Sequence, residues 1–178
     1  MLVAKRCDSP GQALRDIHSK GLIHGDFVLV PGDLVSNVRV DEILKLHRER
    51  REGGEKHAIM TTVWMRTAPQ HPTRSYEDST VLALNATNNQ VLHYQNNTGA
   101  KDVHLSVEIL QHPRVHVHAE LMDTRIDVCS PEVLSLFEQN PDYSDLRNDL
   151  IKGTLDDEVY NYKIFAHILG GQVCACGD

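Results

Sequence analysis

The sequence predicts an α/β fold, a mixed sheet flanked by helices with a hairpin-rich insertion. Helical and strand periodicities alternate through the first part of the chain, strand and turn signals dominate the middle, and helix and strand patterns return afterwards. The 178 residues, 40% apolar and 24% charged, suffice for one domain with its own hydrophobic core.

Ser9-Pro10-Gly11-Gln12 opens the first helix: Ser9 caps, Pro10 suits the first turn, and Gln12 reaches back to the cap's amide. Ala13, Leu14 and Ile17 recur at helical spacing until Gly21 stops it. Phe27-Val28-Leu29-Val30 is a short apolar run ending at Pro31-Gly32-Asp33, which fits a strand buried on both faces in a largely parallel sheet. Asp41 is placed to cap a second helix closed by Gly53-Gly54, and the basic residues Lys45, Arg48, Arg50 and Arg51 read as its solvated face. Residues 58–64 resume a strand, in which Met60 and Trp64, with Met65 beside them, are expected to pack the core.

Val81-Leu82-Ala83-Leu84 and Val91-Leu92-His93-Tyr94 flank Asn88-Asn89, a pair that tolerates left-handed turn conformations, so a hairpin is predicted. Residues 114–121 alternate strictly, Val115, Val117, Ala119 and Leu121 against Arg114, His116, His118 and Glu120, which predicts one strand with a wet face. A short strand over 125–129 follows. Ser130-Pro131 then opens a helix through Val133, Leu134, Leu136 and Phe137, with Ser130 as the expected cap. Residues 144–152 repeat the helical pattern before Gly153, and residues 162–169 form the last predicted strand.

The net charge of −7 supplies no general attraction to phosphate backbones or anionic lipid, so neither nucleic acid nor a membrane is an expected partner. Without a basic region and apolar stretch at the start, the chain is expected in the cytosol, where Cys7, Cys129, Cys174 and Cys176 stay free thiols. The sequons at Asn85 and Asn96 then read as loop chemistry.

Gly32-Asp33 places a carboxylate at the carboxyl end of a strand, where open α/β sheets bind ligands and where a hard cation could bridge phosphates. The segment from Phe27 to Asp33 resembles the strand and Gly-Asp turn of sugar-phosphate nucleotidyltransferases, in which that aspartate helps hold magnesium. Those enzymes also need a glycine-rich loop with basic residues. Ahead of Asp33 only the single glycines Gly11, Gly21, Gly25 and Gly32 occur.

A longer resemblance runs over residues 9–167. It is carried by Gly32-Asp33-Leu34-Val35-Ser36-Asn37, His71-Pro72-Thr73-Arg74 with Glu77-Asp78, Val91-Leu92-His93-Tyr94-Gln95, Asp123-Thr124-Arg125-Ile126-Asp127-Val128-Cys129-Ser130-Pro131-Glu132-Val133-Leu134, Asp149-Leu150-Ile151-Lys152-Gly153 and Tyr162-Lys163-Ile164. These motifs are similar to those of the epsilon subunits of eukaryotic translation initiation factor 2B. The resemblance implies a partial nucleotidyltransferase-like, Rossmann-like domain over 1–169, incomplete at both ends, with a disordered tail over 170–178. It implies a subunit of the guanine-nucleotide exchange factor that recharges the translation initiation GTPase, pairing first with the gamma subunit and reaching the GTPase through the full complex. The asparagine-phenylalanine motif that this family uses for exchange is not among these residues. The expectation is therefore subunit assembly without catalysis by the chain itself: no catalytic residue, no metal ligand and no cofactor, with Gly32 and Asp33 as a nucleotide- or magnesium-like position.

Two other readings compete. One is a minimal nucleotidyltransferase using Asp33 and magnesium. The other is a small metal-binding protein, with His116, His118 and Glu120 on one strand face, or with Cys174, Cys176 and His167.

Overall fold

The computed structural model describes residues 7–67, 79–96, 102–157 and 159–170, and the backbone of 175–177. The chain runs through α1 (Pro10–Ser19), β1 (Phe27–Leu29), β2 (Leu34–Ser36), α2 (Val40–Glu52), β3 (Ala58–Arg66), β4 (Thr80–Asn85) and β5 (Val91–Asn96). After a 3-10 turn (Val107–Gln111) come β6 (Val115–His118), β7 (Leu121–Cys129), α3 (Glu132–Gln139), a π-helical segment (Leu146–Ile151), α4 (Lys152–Asp156), β8 (Lys163–Leu169) and β9 (Ala175–Gly177).

Among the described residues the main sheet has the order β1-β7-β3-β8. β7 runs antiparallel to β1 and β3, and β3 runs parallel to β8, so the sheet is mixed, as expected. Alternation along β3 decides the layers. Met60 and Trp64 join Leu14, Val133, Leu134 and Phe137 under α1 and α3, whereas Val63 joins Ile43, Ile126 and Val128 under α2. Helices therefore flank the sheet, an arrangement consistent with a nucleotidyltransferase-like domain.

The strand buried on both faces is β3, not β1. Residues 58–65 of β3 are all buried, and the hydroxyl of Thr62 donates to the Phe165 carbonyl while accepting from Trp64 Nε1. Phe27, Val28 and Leu29 lie on the edge of the sheet, antiparallel to β7 and only half-buried. A short apolar run carries no information about which neighbour covers it, and an edge strand lacks one neighbour.

The predicted hairpin forms between β4 and β5, with Asn89 at φ 59°. The Asn85 side chain accepts from the Thr87 amide, which gives the first sequon asparagine a structural role in the turn. β6 pairs with the other edge of β4, completing a three-stranded sheet whose Leu82, Leu84, Val91 and Tyr94 enter the main core. The alternating stretch 114–121 is not one strand. The Glu120 carboxylate accepts from the Ala119 amide and meets His118 Nδ1 at 2.8 Å, and the chain crosses there from one sheet to the other. Val117 is consequently exposed, while the His118 side chain is largely covered.

Helix ends follow the sequence in part. Ser9 Oγ accepts from the Gln12 amide as expected, but Gln12 Oε1 takes the Asp8 amide rather than that of Ser9. Gly21 adopts φ 59° beyond α1, and Gly53 caps α2. Asp41 is not the cap of α2: Arg39 occupies that position, and Asp41 sits in the first turn paired with the Arg39 guanidinium. Gly153 does not end a helix. It lies inside α4, where an added Cβ would come within 1.9 Å of the Tyr143 hydroxyl. In the stretch expected to be a disordered tail, Ala175–Gly177 pairs antiparallel with β2. No helix among the described residues is long and apolar enough to cross a membrane.

Gly11 marks the tightest contact of α1. Its amide donates to the Ser144 carbonyl, and a Cβ there would stand 2.3 Å from the Tyr143 carbonyl oxygen. Gly11→Ala is expected to destabilise the chain by about 1–3 kcal/mol in urea unfolding, because backbone has to move. Gly32→Ala, with open space around it, stays within about 0.5 kcal/mol of the wild type.

Candidate functional site

Gly32 and Asp33 form an exposed turn between β1 and β2. The Asp33 carboxylate meets no partner among the described residues. A cavity of about 560 Å³ opens just before it, at the carboxyl end of β1, lined by Leu29, Val30 and Pro31 together with residues of β7 and the π-helical segment. Its wall is a buried ion network. Arg147 donates through Nη1 and Nη2 to the two Asp127 oxygens, at 2.9 Å each, and through Nη2 to Asp123 Oδ1 at 2.8 Å. Arg147 Nε donates to the other Asp123 oxygen.

A bulge makes this possible. In a regular strand, residues four apart are separated by about 13 Å, too far for one guanidinium to hold both bidentately. Here Asp127 pairs with Thr62 and Asp123 pairs with Trp64, so four steps along β7 oppose two along β3. Arg125, at φ 58°, is the exposed residue of the bulge, between the buried Thr124 and Ile126, and its amide donates to Asp123 Oδ1 at 2.8 Å. That left-handed backbone costs an arginine about 1 kcal/mol, which the ion network overrides.

The side chains of Arg147, Asp123 and Asp127 are 12%, 14% and 3% exposed. Burial pushes the Asp127 carboxyl up to about 6 against the pull of Arg147, while the two carboxylates hold the guanidinium well above its ordinary value. Every oxygen of the pair is engaged, so the network offers no free carboxylate to a metal or as a base. Its effect is to fix the π-helical segment across β7. In the sequence, Asp123 and Asp127 stand out only as part of a resemblance. Two acids in a strand that also carries Leu121, Met122, Ile126, Val128 and Cys129 are the available signal, since a buried carboxylate implies a cation.

On the opposite face α2 is pinned by a second buried group that the sequence reading passed over. His47 lies one turn after the buried Ile43, on the core side of the helix. Its Nδ1 meets Thr61 Oγ1 and its Nε2 meets Ser130 Oγ, both at 2.9 Å, so Ser130 serves His47 rather than capping α3. A neutral imidazole, with one donor and one acceptor, satisfies both hydroxyls. Burial lowers its pKa to about 4. The Ser130–His47 contact has the geometry of a nucleophile and base, but both residues are wholly buried and the third partner is a hydroxyl, so the arrangement is structural.

The basic run of α2 is only partly a solvated face. Arg51 grips the Glu132 carboxylate bidentately, at 2.7 and 3.2 Å, and the Arg50 guanidinium sits 4.2 Å from the centre of the Phe165 ring. The His116 and His118 rings meet edge to face 6.0 Å apart, with His118 engaged to Glu120 and Arg66 lining the same hollow. Among the described residues no group of three or more His, Cys, Asp or Glu is placed to hold a metal ion. His71-Pro72-Thr73-Arg74, Glu77-Asp78 and Cys174 lie outside the described residues.

Fold and site together describe an α/β protein with a mixed sheet and a cavity at the end of its edge strand, in which the buried charges are structural. No protein-family model matches the chain. The translation initiation factor eIF2B subunit epsilon of Dictyostelium discoideum is 39% identical over 175 residues, 98% of this chain and 25% of that protein. The protein of the same name from Schizosaccharomyces pombe is 42% identical over 169 residues, 94% of this chain and again 25% of the relative. The chain is thus homologous to a segment of eIF2B epsilon subunits and spans about a quarter of their length.

Two outcomes test the buried charges. Since folding depresses the His47 pKa, its stabilising contribution is complete above the unfolded value of about 6.5 and is lost as pH falls towards 4. Urea unfolding should show the wild type losing about 2 kcal/mol relative to His47→Gln between pH 7 and pH 5, with the Asp127 titration common to both proteins. Arg147→Leu, which strands two carboxylates, is expected to cost about 3–5 kcal/mol, and adding Asp123→Asn and Asp127→Asn to recover part of that loss.

Proposed function

We propose that this chain works in translation initiation as part of an epsilon subunit of the guanine-nucleotide exchange factor for the initiation GTPase, through subunit assembly and without catalysing exchange itself. The observation that carries the reading is the homology to eIF2B epsilon subunits along 94–98% of the chain. Residues 1–169 then form part of a nucleotidyltransferase-like domain, its first partner is the gamma subunit, and its setting is the cytosol.

The chemistry of the site agrees with a structural role. Asp123 and Asp127 in the cavity wall are held by Arg147 and Asp145 caps the π-helical segment, the His47 and Ser130 side chains are sealed inside, and Asp33 stands on an exposed turn. Apolar side chains such as Val35, Val107, Leu110 and Val159 lie on the surface, as assembly through apolar contact requires.

The tagged chain should recover the gamma subunit when the exchange-factor subunits are co-expressed, and should leave nucleotide release from the GTPase at its spontaneous rate. Exchange by the chain alone, or failure to recover any subunit, would sink the reading. Asp33→Asn should leave subunit recovery unchanged, whereas a magnesium-dependent transferase built on Asp33 would lose its activity.

A further inference from the structure

β3 and β8 are neighbours that run parallel in the main sheet, and open α/β sheets bind ligands in the crevice outside the carboxyl ends of such strands. Here those ends are Arg66 and Leu169, and a hollow of about 370 Å³ lies against both. Its other wall comes from the three-stranded sheet, with Asn89 on the β4–β5 turn and with His116 and His118, two apart and so on one face of β6.

Backbone contacts fix the two walls to each other. The Ala166 amide of β8 donates to the Asn89 carbonyl at 2.8 Å, and Gln90 bridges to Phe165 beside it. The Thr67 amide donates to the Glu120 carbonyl at 3.1 Å, which ties the end of β3 to the link between β6 and β7.

The charge of the lining runs against that of the chain. The net charge is −7, yet the hollow is lined by an arginine and two histidines and by no carboxylate. Glu120 is the carboxylate that faces these groups, and it is engaged: it meets His118 Nδ1 at 2.8 Å, accepts from the Ala119 amide and lies 4.0 Å from Arg66 Nη1. Among the described residues the Arg66 guanidinium has no closer partner, and His118 Nε2 and both ring nitrogens of His116 have no hydrogen-bond partner.

A phosphate group matches this arrangement. The guanidinium presents a fork of N–H donors to its oxygens, and an imidazolium adds a further donor and charge. Beyond the basic groups the lining continues as Ile168 and Leu169, which favours an apolar substituent over a second charge. The hollow's volume lies at the small end of ligand pockets, about 300–1,000 Å³, and so fits a small molecule better than a polypeptide segment.

We propose that the hollow at the carboxyl ends of β3 and β8 binds a small phosphate monoester, with Arg66, His116 and His118 on the phosphate and Ile168 and Leu169 against its organic part. It shares no residue with the cavity at the end of β1 and does not depend on the assembly reading.

Phenyl phosphate is the probe, titrated into the full chain and followed by the imidazole resonances of His116 and His118. Both should shift saturably, while phenol gives no shift and inorganic phosphate binds more weakly. Arg66→Ala should weaken binding about tenfold and His116→Ala several-fold. Lys45→Ala removes an equal charge from a side chain that is 76% exposed on α2, and should leave binding unchanged. Sulfate keeps a fixed charge between pH 8 and pH 6, so its affinity over that range reads the protein alone. Burial pushes the Glu120 carboxyl up, but the hydrogen bond with His118 holds it below its ordinary value, so it stays ionised throughout. Sulfate should therefore bind several-fold more tightly at pH 6, as the histidines protonate, and His116→Ala should reduce that gain. The absence of a saturable shift, an equal loss with Lys45→Ala, or sulfate binding that ignores pH overturns the proposal. Tighter binding of a phosphoserine peptide than of phenyl phosphate overturns it as well, in favour of a protein partner.

Discussion

Arg147 holds Asp123 and Asp127 of β7 at the same time, and much of the chain's second half is arranged around that grip. A guanidinium and two carboxylates taken out of water are tolerated only when they meet each other closely. The bulge at Arg125 is what brings the two acids within reach. With Arg147 fixed, Asp145 can cap the π-helical segment, and the Tyr143 and Ser144 carbonyls meet α1 so closely that only glycine fits at position 11. The cavity at the end of β1 is what remains between these pieces.

The other face of the sheet is fastened by the same kind of device. Apolar packing of Ile43 against Val63, Ile126 and Val128 holds α2 down but leaves its rotation loosely specified. His47 between Thr61 and Ser130, and Arg51 on Glu132, have only one arrangement that satisfies them, and they tie α2 to β3 and to the start of α3 together. Buried polar contacts in this protein therefore choose among the packings that the apolar residues allow.

What could be read in advance follows the range of the interaction. The hairpin was legible because Asn88-Asn89 and its flanking apolar runs act within ten residues, and α1 because Ser9, Pro10 and Gly21 mark its ends locally. The position of β1 was not, because Phe27-Val28-Leu29 reads alike at the centre and at the edge of a sheet, and its partner lies a hundred residues away in β7. The break between β6 and β7 was hidden for a different reason. Alternation continues through Ala119 and Glu120, and only the Glu120 carboxylate folding back on its own strand turns the chain. At the candidate site, Asp33 was visible as a Gly-Asp turn after an apolar run, whereas the Asp123–Arg147–Asp127 network required a bulge that no periodicity announces.

Buried polar groups in the central sheet are partnered from within the fold. His47, Thr61, Thr62, Thr124, Asp127 and Ser130 are as deeply buried as any apolar residue, and each has a hydrogen-bond partner within the chain. Among the described residues, His93 Nε2 and Thr154 Oγ1 are the buried side-chain atoms without one. Both residues line a cleft beside β5, so the polar satisfaction that is complete across the central sheet gives out where the three-stranded sheet meets α4.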